Sequence, residues 1–318
     1  MSAAPTAKVV VPLAYEQRAD AAAAAVLRQL VAVIVANRQG ALAGVDPEFL
    51  HKLRISVRRS RTVQRQLASV FPPLELPGFR SEFRRLQRAT GEARDLDVYV
   101  LGFEALQALV PEALRSDFAP LRQVLGHWRM TAHGEMMRAV DSRRTHELLA
   151  DWEMLLESLV ELPTDDRPDA TRAIGDLAGK RIRKAYKRVV RIGRSIDPSS
   201  PPEALHELRK KGKELRYMLE LFGAQLHPPE VVDPMVKSLK ALQDVLGRHQ
   251  DREVQISMLR SLADEVATLP GGPRALMAMG VLIDRLRVDE AVAREEFLER
   301  FAALASKEQH QLVKKTFG

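Results

Sequence analysis

The sequence predicts an all-α protein made of two tandem, pseudo-symmetric four-helix bundles. Three observations support this fold class. Aromatic residues are only 5% of the 318 residues, which disfavours a β-sandwich or barrel, whereas the abundant Ala, Leu, Arg and Glu favour helix. Apolar residues recur with a helical period between proline-rich breaks. One pair of motifs occurs twice in the same order, and the length accommodates two units of about 150 residues each.

Four helices are predicted on each side of a short, charged, proline-bounded stretch. Pro47, Pro202 and Pro273 suit the first turn of a helix, and Pro72 and Pro198 end the helices before them. The predicted helices cover residues 15–38, 47–70, 79–110, 112–160, 170–196, 202–226, 231–269 and 273–307. The predicted organisation is an N-terminal tail (1–15), a first repeat (16–162), a linker (163–170), a second repeat (171–306) and a C-terminal tail (307–318).

The composition excludes several classes of site. The chain has no cysteine, so disulfide scaffolds, thiolate zinc sites and a cysteine nucleophile are excluded, and a reducing cytoplasm is the expected compartment. The apolar run at 9–11 is too short for a signal-peptide core, and the apolar stretch at 21–36 is shorter than a bilayer span. We therefore expect no membrane partner. The net charge is +7, from 49 basic and 42 acidic residues, so the arrangement of the cations matters more than their excess.

The internal duplication is visible in two composite motifs. The first motif begins at His51 and again at His206, an offset of 206 − 51 = 155. The second motif, Leu-Gln-x-x-x-Gly-x-x-x-Asp, ends at Asp95 and again at Asp251, an offset of 251 − 95 = 156. A drift of one residue across a turn is what a loop insertion produces. Two motifs that keep both order and spacing indicate a true repeat.

Each first motif places a row of cations on one helix face, because residues at 0, +3, +7 and +10 lie on the same side. Such a row is usually a solvated face. Here, however, no acidic residue interrupts the first row, and like charges one turn apart repel by a few tenths of a kcal/mol. An unopposed row about 15 Å long, made twice, indicates a site for an extended anionic polymer rather than one compact phosphate. The rows are His51, Arg54, Arg58 and Arg61, extended by Arg65, and His206, Arg209, Lys213 and Arg216.

Further cations occur on the neighbouring helices, so that three helices can line a groove or channel. Arginine in particular binds phosphate oxygens through a planar pair of donors. The third helix of each repeat carries Arg80, Arg84, Arg85, Arg88 and Arg94, or Lys237, Lys240 and Arg248. The first helix of the second repeat carries Lys180, Arg181, Arg183, Lys184, Lys187, Arg188 and Arg191.

The two motif histidines have more than one interpretation. Each could be a hydrogen-bonded structural residue or a contact to phosphate. A metal ligand is disfavoured, because no second histidine or carboxylate lies at ligand spacing on the same face. Neighbouring arginines disfavour the protonated imidazole.

The second motif supplies a glycine and a carboxylate in each repeat. Asp95 and Asp251 could serve in acid–base chemistry, but among arginines they are better interpreted as groups that orient the cations and offset their repulsion. Gly91 and Gly247 are expected to allow a close helix approach or a local bend. We predict no catalytic residue, no metal ligand and no cofactor.

On these two motifs the sequence resembles the CHAD family, the conserved histidine α-helical domain, over residues 16–306. The resemblance implies two bundles with a basic channel between them, inorganic polyphosphate as the ligand, and association with polyphosphate granules. Members are often fused to a triphosphatase-like domain that is not found here, so we expect binding without catalysis. The motif residues together with the cations of the neighbouring helices give the predicted contacts: His51, Arg54, Arg58, Arg61, Arg84, Arg88, Arg94, Arg181, Lys184, Arg188, His206, Arg209, Lys210, Lys213, Arg216, Lys237 and Lys240.

Two other functions remain as alternatives. One is sequence-independent binding to a nucleic-acid backbone, since phosphate contacts carry no sequence information; the basic faces lack the interleaved aromatics that stack on bases. The other is a polyphosphate-processing enzyme, which would need carboxylates to hold a metal ion. The second row also carries Glu207, Glu214 and Glu220, so we expect it to bind less strongly than the first. Other polyanions are possible partners, but no specific nucleic acid is expected.

Overall fold

The computed structural model describes residue 6 and residues 9–197 and 199–318, and every named element in these ranges is helical. One isolated antiparallel bridge joins Arg18 to Ala173. The all-α prediction is confirmed. The predicted N-terminal tail falls partly on 1–5 and 7–8, and the helix-ending Pro198 falls on 198, which lie outside the described residues.

Fifteen α-helices are labelled in chain order. Short 3₁₀ turns occur at Ala68–Val70 and Ser116–Phe118, and a π-helical turn at Leu219–Gly223 extends the tenth helix. The α-helices are α1 (Ala19–Ala43), α2 (Pro47–Gln66), α3 (Leu76–Ala89), α4 (Gly91–Leu101), α5 (Phe103–Gln107), α6 (Glu112–Arg115), α7 (Ala119–Val140), α8 (Arg143–Ser158), α9 (Ile174–Arg194), α10 (Pro202–Met218), α11 (Ala224–Leu226), α12 (Pro229–Ser261), α13 (Ala263–Ala267), α14 (Gly272–Leu304) and α15 (Lys307–Thr316).

The bounds differ from the predicted ones where local backbone chemistry overrides the apolar period. The helix predicted over 79–110 is divided into α3, α4 and α5. The helix predicted over 112–160 is interrupted between α7 and α8, because the Ser142 side chain accepts a hydrogen bond from the Thr145 N–H and so begins a new helix. Helix α1 continues to Ala43, where Gly44 adopts a φ of +62° that ends it.

The two histidine-led helices, α2 and α10, lie in the middle of the molecule and pack against each other. Around α2 pack α1, α3 and α4, with α7 and α8 completing that side. Around α10 pack α9 and α12, and α14 lies along α12. A further contact between the two halves joins α7 to α13 and α14. The predicted division into two equivalent bundles stays a prediction; the packing brings the two motif helices together.

Helix α1 is long and apolar enough to cross a membrane by length and composition alone, but 56% of its most apolar window is buried. Val26, Leu27 and Leu30 are fully buried, and the helix packs against α2 and α8. This is the ordinary pattern of a core helix in a bundle.

The segment predicted as a C-terminal tail forms α15, which packs on α9. Its Val313 is buried, as is Phe317, which follows the helix. The Phe317 ring meets the His227 ring edge-on at 4.6 Å between centroids. The end of the chain is therefore held beside α9.

The segment predicted as a linker contains a buried arginine. The Arg167 side chain is fully buried, and its guanidinium donates hydrogen bonds to the carbonyl oxygens of Pro163 at 2.8 Å and Leu159 at 2.9 Å. Asp20, also fully buried, lies 3.8 Å away at the start of α1. The backbone N–H of Asp20 donates to the Ala170 carbonyl. This stretch therefore ties α1 to the start of α9.

We expect Arg167→Ala to lower the free energy of unfolding by about 3–5 kcal/mol, because it leaves Asp20 and several carbonyl oxygens buried with fewer partners. Urea unfolding followed by far-UV circular dichroism measures the change. Arg172→Ala is the matched control: its ion pair with Asp169 is 45% exposed on the arginine side and should contribute less than about 1 kcal/mol. Equal small losses for both variants would contradict the anchoring role of Arg167.

Candidate anion-binding site

The two motif helices line one groove, which consists of two adjoining cavities. The first, of about 450 Å³, lies between α2 and α10 and also touches α4 and α12. The second, of about 300 Å³, lies beside the C-terminal turns of α2 and α10. Both are lined by Arg58, His206, Arg209 and Lys213. We call these two cavities together the basic groove.

The character of the groove changes along its length. At one end it is lined by Arg61, Arg65 and Lys210. A third cavity, of about 370 Å³, continues from the opposite end and shares Asp95 with the basic groove. No cation lines this third cavity among the described residues; its walls are Glu92, Asp95, Leu96, Trp128, Val254, Ser257, Met258 and Ser261. The groove therefore has a cationic end and an apolar, acidic end.

The arginine of the first motif lies next to the glycine of the second motif in both repeats. A Cβ atom added at Gly91 would lie 3.7 Å from Nη1 of Arg54, and one at Gly247 would lie 3.6 Å from Nη2 of Arg209. Each guanidinium therefore lies beside the glycine of its own repeat, at a distance that would also admit a Cβ atom in ordinary van der Waals contact. A bend accompanies only the first glycine, where α3 ends and α4 begins; α12 runs unbroken through Gly247.

Arg54 is held in place by the neighbouring helix. Its side chain is buried, with the residue 8% exposed, and Nη1 donates to the Gln87 carbonyl at 2.9 Å and to the Thr90 hydroxyl at 2.8 Å. Burial, followed by the charge of Arg58, lowers the pKa of Arg54 to about 10, so the guanidinium stays charged at neutral pH. Arg54 is thus both a groove residue and a structural one.

Asp95 and Asp251 lie inside the groove among the arginines. An Nη2–Oδ1 distance of 4.0 Å separates Arg209 from Asp251, whose side chain keeps 59% of its surface accessible. Partial burial in the groove raises the pKa of both carboxyls. The largest opposing effect is the charge of Arg54 for Asp95 and the charge of Arg209 for Asp251. The charge of Asp95 also raises the pKa of Asp251. Both positions suit the predicted orienting role.

The two histidines are not equivalent. His51 lies beside Arg94, and burial and then the Arg94 charge lower its pKa, so its imidazole is neutral at pH 7. His206 contacts the Gln250 amide oxygen through Nδ1. Gln250 also lines the groove; it is a residue that the motifs did not single out. The repeat offset would have found it, since 250 − 94 = 156 makes it the counterpart of Arg94. No group of three or more His, Asp or Glu side chains suited to a metal occurs in the described ranges.

The cations of the first motif helix have more acidic partners than the sequence predicts. Glutamates of α10 and of the π-helical turn after it, which the sequence counts only against the second row, reach across to α2. Glu214 pairs with Arg65 at 3.0 Å, and Glu220 pairs with Arg59 at 2.8 Å. Within the part of the chain that the structure describes, Arg58 has no carboxylate partner within 4.0 Å. The Arg65–Glu214 pair lies in the lining of the cationic end, so compensation extends into that end of the groove and, among the described residues, stops short of Arg58.

Several predicted contacts lie outside the groove lining. Arg84 and Arg88 are exposed on α3, near enough to Arg61 to lower its pKa after the effects of burial and Arg65, so they flank the cationic end. Arg181 donates to Ser69 and Asp169 at 3.2 Å each. The others are Lys184, Lys237 and Lys240, which are exposed, and Arg188 and Arg216, which pair with Glu207 and Glu220.

The burial and the positive charges around Lys213 make its ammonium form unfavourable. Burial, and then the charges of Arg209, Arg58 and Arg216, lower its pKa to about 7, with Asp251 acting in the opposite direction. The ammonium is therefore only partly formed at neutral pH. A bound anion would favour the protonated form.

Comparison with known proteins shows the same architecture elsewhere. The CHAD domain family model matches residues 25–260. An uncharacterized protein of Mycobacterium tuberculosis (strain CDC 1551) is 29% identical over 210 residues, 65% of this chain and 39% of that protein, so the chain spans about two-fifths of that relative. The CHAD domain of the plant Ricinus communis superposes with a TM-score of 0.79 at 21% identity, covering 95% of this chain and 98% of that one. PptA from Streptomyces chartreusis gives 0.69 at 19%, covering 90% and 99%.

We expect Lys213 to titrate with a midpoint of about 7 in the free protein, because its ammonium is desolvated among cations. Carbon-13 NMR of isotope-labelled, methylated lysines against pH measures the midpoint, and Lys213→Arg assigns the signal. Asp251→Asn should move the midpoint lower still, since it removes the opposing carboxylate. A midpoint near the ordinary value of about 10.4 would show that Lys213 is well hydrated and that the groove is open to bulk water.

Proposed function

The chain belongs to the CHAD domain family, and from that premise we propose that it binds inorganic polyphosphate in the basic groove without processing it. The family is linked to polyphosphate. The observation that carries the proposal is the convergence of Arg58, Arg209 and Lys213 from two helices on one cavity. Packing cations together in a partly desolvated groove is unfavourable without a ligand, and a chain of phosphates would remove that cost.

The shape of the groove favours an extended anion. From His51 to Arg65, α2 rises about 21 Å at about 1.5 Å per residue, and successive turns present a cation to the groove or its rim. A compact phosphate would use only one such turn. A linear phosphate polymer would contact several, and each charge-assisted hydrogen bond contributes about 1.5–3 kcal/mol.

Binding without catalysis is the chemistry that the carboxylates favour. Phosphoryl transfer requires carboxylates that hold a metal ion or orient a nucleophile. Asp95 and Asp251 lie beside arginines whose repulsion they offset, and these positive charges disfavour a metal ion at the same carboxylates. We therefore propose that the two carboxylates set the arginine geometry.

The groove offers little for recognising bases. Tyr99 and Tyr217 line it but are only 3% and 2% exposed, and Tyr217 lies against the guanidiniums of Arg59 and Arg216. Binding of single-stranded nucleic acid without sequence preference relies on exposed aromatic faces that stack on the bases. Polyphosphate, which has no bases, fits better.

The proposed setting is the cytoplasm, at polyphosphate granules. Colocalisation of a fluorescent fusion with a polyphosphate stain would test this location.

The first test compares polymers. We expect long-chain polyphosphate to bind more tightly than RNA or duplex DNA at equal phosphate concentration, with an affinity that falls steeply with salt and with no release of phosphate. Fluorescence anisotropy across a salt series and a colorimetric phosphate assay provide the measurements. Equal or tighter binding of nucleic acid would favour the backbone-binding alternative, and steady phosphate release would favour an enzyme.

The second test locates the site. At pH 6, where Lys213 is protonated, Arg58→Ala with Lys213→Ala should weaken polyphosphate binding by about 100-fold or more, since two charge-assisted contacts are lost. Arg143→Ala with Arg144→Ala is the charge-matched control, because these side chains are 90% and 65% exposed on α8; we expect less than about a threefold effect. Similar losses for the two pairs would mean that the attraction is diffuse and that the groove is not the site.

A further inference from the structure

We propose that α9 carries a second polyanion-binding surface, outside the groove, on which a long polyphosphate chain continues after it leaves the cationic end of the groove. This inference rests on the proposed function and adds to it a reason for preferring long chains. The surface is a row of exposed cations that we call the α9 stripe. It consists of Lys180, Lys184, Lys187, Arg191 and Arg194.

The α9 stripe is a single helix face. Its members are spaced by four, three, four and three residues, so at about 100° per residue they lie within an arc of about 80°. All five are exposed, while the opposite face is buried through residues such as Ile182, Tyr186 and Val189. From the first to the last member the helix rises about 21 Å. The stripe is therefore about as long as the cationic row on α2.

The α9 stripe is not neutralised by its neighbours. Within residues 9–197 and 199–318, its first four members have no carboxylate partner within 4.0 Å. The one acidic residue of α9 is Asp176 in the first turn, and it accepts a hydrogen bond from the Tyr15 hydroxyl at 2.9 Å. Helix α15, which packs on α9, adds exposed Lys314 and Lys315. An ordinary solvated helix would mix acidic residues into such a face.

The α9 stripe adjoins the cationic end of the groove. Arg188, on the flank of the stripe, lies 3.8 Å from Glu207 of α10. The same glutamate pairs with Lys210 at 2.9 Å, and Lys210 lines the groove. Cations are thus linked from the groove wall to the α9 surface by one shared carboxylate. A phosphate chain could exchange contacts with Lys210 for contacts with Arg188 without crossing an uncharged gap.

The opposite end of the groove does not offer such a route. There the walls include Glu92 and Asp95 with Leu96 and Trp128, and no cation from the described part of the chain lines that cavity. A chain longer than the groove therefore leaves at the cationic end. Arg84 and Arg88 of α3 also flank that end, but they span only about one helical turn. The α9 stripe spans four turns, so it gives the longer contact.

The test compares two ligands and two charge-neutralised variants. The α9 variant is Lys180→Gln, Lys184→Gln, Lys187→Gln and Arg191→Gln, which changes only exposed positions and keeps helix propensity nearly constant. The control variant removes the same charge from α14. Four of the five arginines of α14 are exposed, and within the described ranges none of these four has a carboxylate partner within 4.0 Å. The control substitutions are Arg274→Gln, Arg285→Gln, Arg287→Gln and Arg300→Gln.

We expect the α9 variant to keep its affinity for tripolyphosphate within about twofold and to lose about tenfold or more in affinity for long-chain polyphosphate, relative to the α14 variant. The salt dependence of long-chain binding should also flatten, by about 0.7 in the log–log slope for each lost contact. Arg58→Ala should weaken the binding of both ligands.

Three outcomes would overturn the inference while leaving the proposed function intact. The first is that the α9 and α14 variants bind long-chain polyphosphate with equal affinity. The second is that the α9 variant loses as much affinity for tripolyphosphate as for the long chain. The third is that Arg84→Gln with Arg88→Gln, rather than the α9 variant, abolishes the preference for long chains. Failure of the wild-type protein to bind either phosphate ligand would instead refute the proposed function itself.

Discussion

Two cationic helices, α2 and α10, pack side by side in the middle of this molecule, and the other features of the site follow from the resulting repulsion. The apolar faces of the two helices are buried in the core through residues such as Leu53 and Val57 or Leu208 and Leu215, and this burial holds them together. Glutamates relieve part of the repulsion: Glu214 pairs with Arg65 at the cationic end of the groove, and Glu220 pairs with Arg59 outside the groove lining. Inside the groove the relief is incomplete.

The protein responds to this residual repulsion at Lys213. An arginine cannot give up its proton near neutral pH, so among Arg58, Arg209 and Lys213 the lysine is the group that loses charge. The sign of its effect on stability follows. Its folded-state pKa lies below its unfolded value, so the cost of charging it in the folded state is greatest below pH 7, and stability increases as pH rises from about 7 towards 10. An anion in the groove would reverse this preference, which couples binding to proton uptake.

The sequence predicts the helices and the cationic rows well, because helical period and repeat offset depend on spacing alone. It does not predict which side of a helix faces the groove. Both α9 and α2 carry cations that recur along one helix face. Lys184 of α9 is nevertheless exposed outside the groove while Arg58 of α2 lines it, because packing sets the rotation of each helix within a bundle. The contacts of Glu214 and Glu220 with α2 were missed for the same reason. Arg167 was missed because a charged residue in a short loop gives no sequence signal of burial.

Duplication explains why the groove has a direction. Equivalent residues of the two repeats, such as Asp95 and Asp251, line the same cavity, so the repeat relates the two walls of the groove and leaves its two ends distinct. Helices α2 and α10 both contribute to the cationic end, through Arg61 and Lys210, whereas α4 and α12 both contribute to the apolar end through residues that follow their glycines. A duplicated helix whose charge is unevenly distributed along its axis therefore gives a groove that is uneven along its length. An extended anion with two identical ends would then be held near one end of the groove, and any excess length must lie on one side of the molecule.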